Sequence, residues 1–264
     1  MKLNIVPAST GLQWVKAGIQ TFFRQPLALG GLFFMFMGAV SILAIVPVLG
    51  NLLALVLLPA ATLGLMAAAR QAADGVFPMP RVLGTAFAAG KQRMTSMLKL
   101  GVLYAASFVV MLAFTALADG GQFAGVYLGQ TELTQDIASS PAFQAALWVA
   151  LAFYVPLAAA FWHAPALVHW HGISPVKSLF FSTLACWKNK GALLLFGLGW
   201  VGMFVLGGIL TSVVVSLAGG GALARGLVMP AVMLMASMFF SSLYFTFRDS
   251  FLLDQSEDAP KSAA

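Results

Sequence analysis

Three histidines, His163, His169 and His171, fall close together in the stretch FWHAPALVHWHG. Imidazole is the commonest metal ligand and the side chain that most readily carries a proton near neutral pH, so chemistry is sought here first. A zinc site needs ligands that converge from compatible spacings. On a helix, offsets of six and two place these rings on different faces, and neither an HExxH pattern nor a cysteine pair stands nearby. The reading that fits best is of interfacial histidines beside Trp162 and Trp170 in an aromatic belt. A proton- or ligand-handling role is the weaker alternative and a metal site the weakest, so no metal and no cofactor is expected.

Serine chemistry finds less support. A nucleophile needs a base within hydrogen-bond reach. No GxSxG elbow occurs, and Ser107 and Ser241 have no evident partner in the sequence. The glycine-rich AGGGALARG at 218–226 lacks the GKS/T ending of a phosphate cradle and reads as a flexible turn. Asp74-Gly75 and Asp119-Gly120 read as turn dipeptides. The single cysteine, Cys186, excludes an internal disulfide and a multi-cysteine metal site. The expectation is a protein without catalytic residues, and not an enzyme.

The elements that carry these residues are unusual in composition. Hydrophobic residues make up 61% of the 264-residue chain and charged ones only 8%, against about 25% in an average soluble domain. So little charge could not cover a water-facing surface. No ionised side chain lies between Arg24 and Arg70, between Asp136 and Lys177, or between Lys190 and Arg225. A bilayer span needs about 20 apolar residues, so the longer of these runs hold two spans, or a span and an interfacial piece. The first apolar run begins after Arg24 and exceeds the ~7–15 residues of a signal-peptide core, so no cleavable signal is expected.

Six transmembrane helices are predicted, over about 27–46, 52–69, 97–117, 142–168, 192–217 and 227–247. The fold class is therefore all-α and polytopic, with residues 1–253 forming a single integral membrane domain. The tail 254–264, beginning DQSEDAP, is polar and expected to be disordered. No Asp or Glu falls inside a predicted span, which argues against a carboxylate-coupled pump. Channels and facilitators stay open, because backbone carbonyls and hydroxyls can line a path.

Charge gives an orientation. With a cytoplasmic N-terminus, all of the 14 Lys and Arg residues except Arg225 fall on the inner side, and the connection carrying Asp119, Glu132 and Asp136 has no basic residue. That asymmetry is the positive-inside pattern, and it predicts both termini in the cytoplasm. The net charge of +6 is thereby assigned to a membrane face rather than to nucleic acid.

Before the first span, TGLQWVKAGIQTFFRQP places Leu12, Val15, Ile19, Phe22 and Phe23 on one side of a helix. Gln13, Lys16, Ala17, Gln20 and Arg24 fall on the other, and Ser9 or Thr10 is positioned to cap the start. Such a helix suits the lipid interface; a helix packed on protein is the alternative. Related segments occur at 80–93, the weakest amphipath, and at 174–190. Each copy ends in a basic residue followed by an amide: Arg24-Gln25, Lys91-Gln92, Lys188-Asn189. The layout reads as three cytoplasmic-side amphipathic helices, each followed by a two-span hairpin, in units of about 9–72, 78–171 and 174–250. Chance is the competing explanation, since membrane borders favour both residue types.

Two sets of site residues follow. Lys16, Arg24, Lys91, Arg93, Lys188 and Lys190 are candidates for lipid headgroups, with anionic lipids as the expected partners, although positive-inside topology alone is enough to place these charges. Ala60, Gly64 and Ala68 recur every four positions in the second span and are candidates for close helix packing. Pro59, Pro156 and Pro230 fall in or at the start of even-numbered spans, where a plain packing kink is the commoner reading and a kink beside a cavity would suit transport. A lipid- or membrane-partner-interacting protein is the first functional expectation, and a transporter or facilitator of a small or lipidic substrate the alternative.

The opening LNIVPASTGLQWVKAGIQTFFRQPLALGGLFFMFMGAVSILAIVPVLGNLLALVLLPAATLGLMAAAR resembles a group of uncharacterised beta-proteobacterial multi-span inner-membrane proteins. The likeness extends over most of the chain and is strongest in the first unit. It implies a bacterial inner-membrane location and carries over no residue role.

Overall fold

The computed structural model describes residues 2–46, 48–219, 221 and 226–252. Pro47, Arg225, most of the 218–226 stretch and the 254–264 tail lie outside the described residues. Helices dominate: α1 (Thr10–Arg24), α2 (Pro26–Ala44), α3 (Leu49–Ala73), α4 (Thr85–Ala88), α5 (Lys91–Asp119), α6 (Gln122–Tyr127) and α7 (Gln135–Ser139). There follow α8 (Pro141–Trp162), α9 (Ala164–His171), α10 (Pro175–Lys188), α11 (Lys190–Leu217) and α12 (Val228–Ser250). Lys2–Leu3 and Phe251–Leu252 add a two-stranded antiparallel ribbon that pairs the two ends of the described chain.

Six segments among the described residues are long and apolar enough to cross a membrane: α2, α3, α5, the α8–α9 pair, α11 and α12. They are the six predicted spans, extended at some ends by polar residues that a hydropathy window trims. Local chemistry explains their borders. Pro26 and Pro141 begin α2 and α8 at a position where no intrahelical N–H is lost. The Ser140 hydroxyl accepts the Phe143 N–H at 3.2 Å to cap α8. Gly120, at a positive φ of 69°, ends α5, and the Asp119 carboxylate turns back to accept the N–H groups of Gly121 (2.9 Å) and Phe123 (2.6 Å).

The chain divides into two compact units. The first comprises Met1–Phe34, Leu65–Val82 and Leu184–Ala264. Its core lies where α1 packs against α11 and α12. Trp14 and Phe22 are buried, as are Phe196 and Trp200 from α11 and Phe245 and Phe247 from α12. Trp14 meets Phe196 edge-on with centroids 6.2 Å apart. Past Trp200, α11 has no buried residue, and α12 has none before Ser237. Lipid solvates apolar side chains as well as protein does, so those halves need no protein cover.

The second unit comprises Met35–Gly64 and Leu83–Thr183 and is organised by the pairing of α5 with α8. Phe114 stacks on Phe153 at 4.6 Å, and Tyr104 meets Phe161 edge-on at 5.0 Å. Within this unit, the backbone of α5 at Gly101 lies so close to Val56 of α3 that a Cβ would overlap the Val56 carbonyl oxygen. The short helix α6 packs on both α5 and α8.

Three expectations are corrected. Ser9 is helical in backbone conformation and its side chain makes no cap bond; turns from Pro7 and Ala8, whose carbonyls accept the N–H groups of Thr10 and Gly11, start α1 instead. The apolar side of α1 does not act as one face. Val15 and Phe22 turn inward with Trp14, whereas Leu12 and Phe23 are 51% and 64% exposed. Gly11 and Gly18 decide this, because they let the helix approach its neighbours along their own side. The segment 80–93 is not one helix: a 3-10 turn at Pro80–Gly84 and the single turn of α4 are cut off from α5 by Gly90 at φ 92°.

Candidate functional site

The predicted cationic residues sit at helix ends, except Lys16, which lies in the middle of α1. Lys16, Lys188 and Lys190 belong to the first unit and Lys91 to the second; all four are exposed, and none pairs with a carboxylate among the described residues. The Lys190 ammonium lies over the Trp187 ring, 4.9 Å from its centroid. Exposed apolar side chains stand close in sequence, Leu12 and Phe23 around Lys16 and Phe180 and Trp187 before Lys188. This mixture of cation and uncovered hydrocarbon matches an interface between headgroups and acyl chains.

Arg24 and Arg93 do something more specific. Arg24 Nη1 donates to the carbonyl of Ala73 at 3.0 Å, and Arg93 Nη1 donates to the carbonyl of His169 at 2.6 Å. Each guanidinium thus reaches a last-turn carbonyl of the span that returns toward it, where the helix dipole favours a cation. Asn189, in the corresponding place before α11, bonds the end of α12 by donating from Nδ2 to Ser250 Oγ at 3.2 Å. The start of each hairpin's first span is therefore tied to the end of its second.

Asn189 also belongs to a polar node that the sequence reading missed. Only 2% exposed, it accepts the Val6 N–H at Oδ1 (3.0 Å) and donates to the Asn4 carbonyl (3.0 Å). Asn4 Nδ2 donates to the Asp249 carbonyl at 2.8 Å. The Asp249 carboxylate accepts the Trp14 indole N–H at 2.9 Å and pairs with Arg248 at 2.7 Å. One buried amide and one carboxylate thus fasten the N-terminal segment, α1 and the end of α12 together. The residues come from both ends of the chain, so no local spacing could announce them.

The histidines lie differently from the expected belt. His163 is 1% exposed and His169 9%. His163 is the junction at which the fourth span breaks into α8 and α9, and Pro165 prevents the helix from running through unbroken. Ser182, fully buried on α10, fills the break: its hydroxyl accepts the His163 N–H at 2.9 Å and donates to the Ala159 carbonyl at 2.7 Å. No three His, Cys, Asp or Glu side chains gather into a metal-holding group among the described residues.

Ala60, Gly64 and Ala68 are all buried. The close approach at Gly64 is to the backbone of Leu83 in the 3-10 turn, where an added Cβ would come within 2.8 Å of the Leu83 Cα.

A further feature absent from the sequence reading is a lateral groove of about 470 Å³ on the α5–α8 pair. Tyr104, Phe108, Phe123, Tyr127 and Tyr154 line it. On the same helix pair, a second open groove of about 570 Å³ is lined by Ser107, Val110, Phe153 and Pro156.

Six apolar helices with cations at their ends define a multi-pass helical membrane protein. The chain belongs to the family of a Burkholderia thailandensis protein named as a probable inner membrane protein, with which it is 38% identical over 264 residues. The match covers 99% of this chain and 97% of that relative. It is thus a member of a multi-span inner-membrane family, as its opening stretch implied. No family model matches the chain. No solved structure matches it either.

Proposed function

We propose that this is a non-enzymatic integral inner-membrane protein that gathers anionic lipid headgroups at the cytoplasmic ends of its spans. The observation that carries the reading is the set of exposed lysines, Lys16, Lys91, Lys188 and Lys190, without protein carboxylates among the described residues and with uncovered apolar side chains near them in sequence. Each such cation near an anionic surface contributes about 1 kcal/mol. Arg24 and Arg93 hold the carbonyls of Ala73 and His169 with one N–H each, which leaves further donors for phosphate.

The test is lipid retention. Wild-type protein and a Lys16→Gln/Lys91→Gln/Lys188→Gln/Lys190→Gln variant are purified in mild detergent, and bound phosphatidylglycerol, cardiolipin and phosphatidylethanolamine are quantified by mass spectrometry. Wild type is expected to hold anionic lipid above its proportion in the membrane, and the variant several-fold less. Equal retention in the two proteins overturns the proposal.

A second reading, a facilitator for a lipidic substrate, draws on the open groove beside Ser107 and Pro156, where a hydroxyl and a helix-interior proline meet on paired spans. Lipid translocation in reconstituted vesicles tests it; a rate equal to that of protein-free vesicles removes it.

A further inference from the structure

The groove lined by Tyr104, Tyr127 and Tyr154 combines two properties. Its wall is aromatic: the Tyr104 and Phe108 rings lie 6.3 Å apart, and the Phe108 and Tyr127 rings 5.0 Å apart. It also holds three phenol hydroxyls that donate to no protein acceptor among the described residues. Tyr104 is only 8% exposed, whereas Tyr127 and Tyr154 are about half exposed, so the groove has a closed floor and an open side.

The three tyrosines reach this one groove from α5, α6 and α8. Burial, and then Tyr154, raise the Tyr127 hydroxyl above its ordinary value, so it stays a proton donor. An unsatisfied hydroxyl away from water costs about 1–3 kcal/mol. The buried phenol of Tyr104 therefore calls for an occupant with acceptors, and Tyr127 and Tyr154 line the same groove at its open side. No cation or carboxylate lines the groove, so the occupant carries no net charge. A volume of about 470 Å³ falls in the ~300–1,000 Å³ range of small-ligand sites.

We infer that this groove binds the head of a neutral membrane lipid bearing carbonyl oxygens on a flat ring, the quinone class, with the ring against the aromatic wall and the phenols donating to the carbonyls. Offset stacking of such rings contributes about 0.5–1.5 kcal/mol beyond burial. The open side, at Tyr127 and Tyr154, is where the ligand enters. The inference is independent of the lysines and of any role in headgroup retention.

The test uses full-length protein in phosphatidylcholine nanodiscs and an azido-benzoquinone with a ten-carbon chain. Labelling is expected to saturate, to map to α5, α6 and α8, and to be competed by excess unlabelled decyl-benzoquinone but not by decylbenzene. Tyr127→Phe/Tyr154→Phe should cut the competed labelling about tenfold, with single Tyr154→Phe intermediate. Ala150→Trp, which fills the groove, should abolish it. The Lys→Gln variant above should label as wild type does, which separates this site from headgroup retention. Labelling spread evenly over the spans, competition by decylbenzene, or full labelling of the Tyr→Phe variants overturns the inference.

Discussion

The hydroxyl of Ser182 stands between the N–H of His163 and the carbonyl of Ala159, two groups that would bond each other in an unbroken helix. The side chain of α10 is spliced into the ladder of the fourth span, at 2.9 and 2.7 Å. Insertions of this kind bend helices, because both backbone groups stay satisfied while the turn opens. Pro165, two residues on, has no N–H to donate and fixes the break in place.

Ser182→Ala should therefore destabilise the protein by about 1–3 kcal/mol, the cost of removing hydrogen bonds from buried backbone groups. Thermal unfolding in detergent reads this out, and the surface variant Ser174→Ala serves as the reference. If the two variants melt together, the backbone closes across the gap and the bridge is dispensable.

Close helix approach in the first unit rests on Gly18, where an added Cβ would overlap the Ser242 Cβ and come within 2.8 Å of its Cα. Gly18→Ala should cost about 1–3 kcal/mol through overpacking. Gly31→Ala, on α2 with open space around it, should be neutral or stabilising, since Ala is the better helix former by ~1 kcal/mol. Opposite signs for the two substitutions are the expected result; equal melting temperatures would contradict the packing.

Trp14 and Asp249 form a bond whose acceptor is charged, a kind that contributes about 1.5–3 kcal/mol. Trp14→Phe keeps the ring that meets Phe196 but loses the N–H donor. A cycle with Asp249→Ala should show the two losses to be non-additive by at least about 0.5 kcal/mol. Strict additivity in denaturant unfolding would mean that the bond contributes nothing.

Orientation is testable with single cysteines in a Cys186→Ser background, Cys186 being buried. Gln92 and Gln130 are both exposed. An impermeant thiol reagent added from the periplasm should label Gln130→Cys and spare Gln92→Cys until the membrane is permeabilised. The reverse pattern would invert the protein.

The guanidinium ties can be read separately. Arg24→Gln and Arg93→Gln each remove a bond to a helix-end carbonyl, in different units. Each should lower the melting temperature, and the double variant should lose the sum, because sites with no shared partner add. A single loss equal to the double would show that the two ends are coupled.

The number of spans, their approximate borders and the membrane itself were legible from residue order alone. Hydrocarbon tolerates no long polar run, so a charge-free stretch of sufficient length admits few structures, and proline, glycine and serine mark its ends. The turn roles of Asp74-Gly75 and Asp119-Gly120 were equally local, and both glycines adopt positive φ. What each side chain meets was decided elsewhere. Leu12 and Val15 look alike in a helical pattern, but the approach of α11 and α12 on the glycine side of α1 buries one and leaves the other out. His163 meets a serine 19 residues away, Trp14 an aspartate 235 residues away, and Asn189 the opening residues of the chain. The tyrosines of the groove come from three separate helices. A bilayer selects for hydrophobicity position by position, which a sequence displays directly. Which polar groups find one another depends on how the helices cross, and that is fixed only when the helices of each unit pack together.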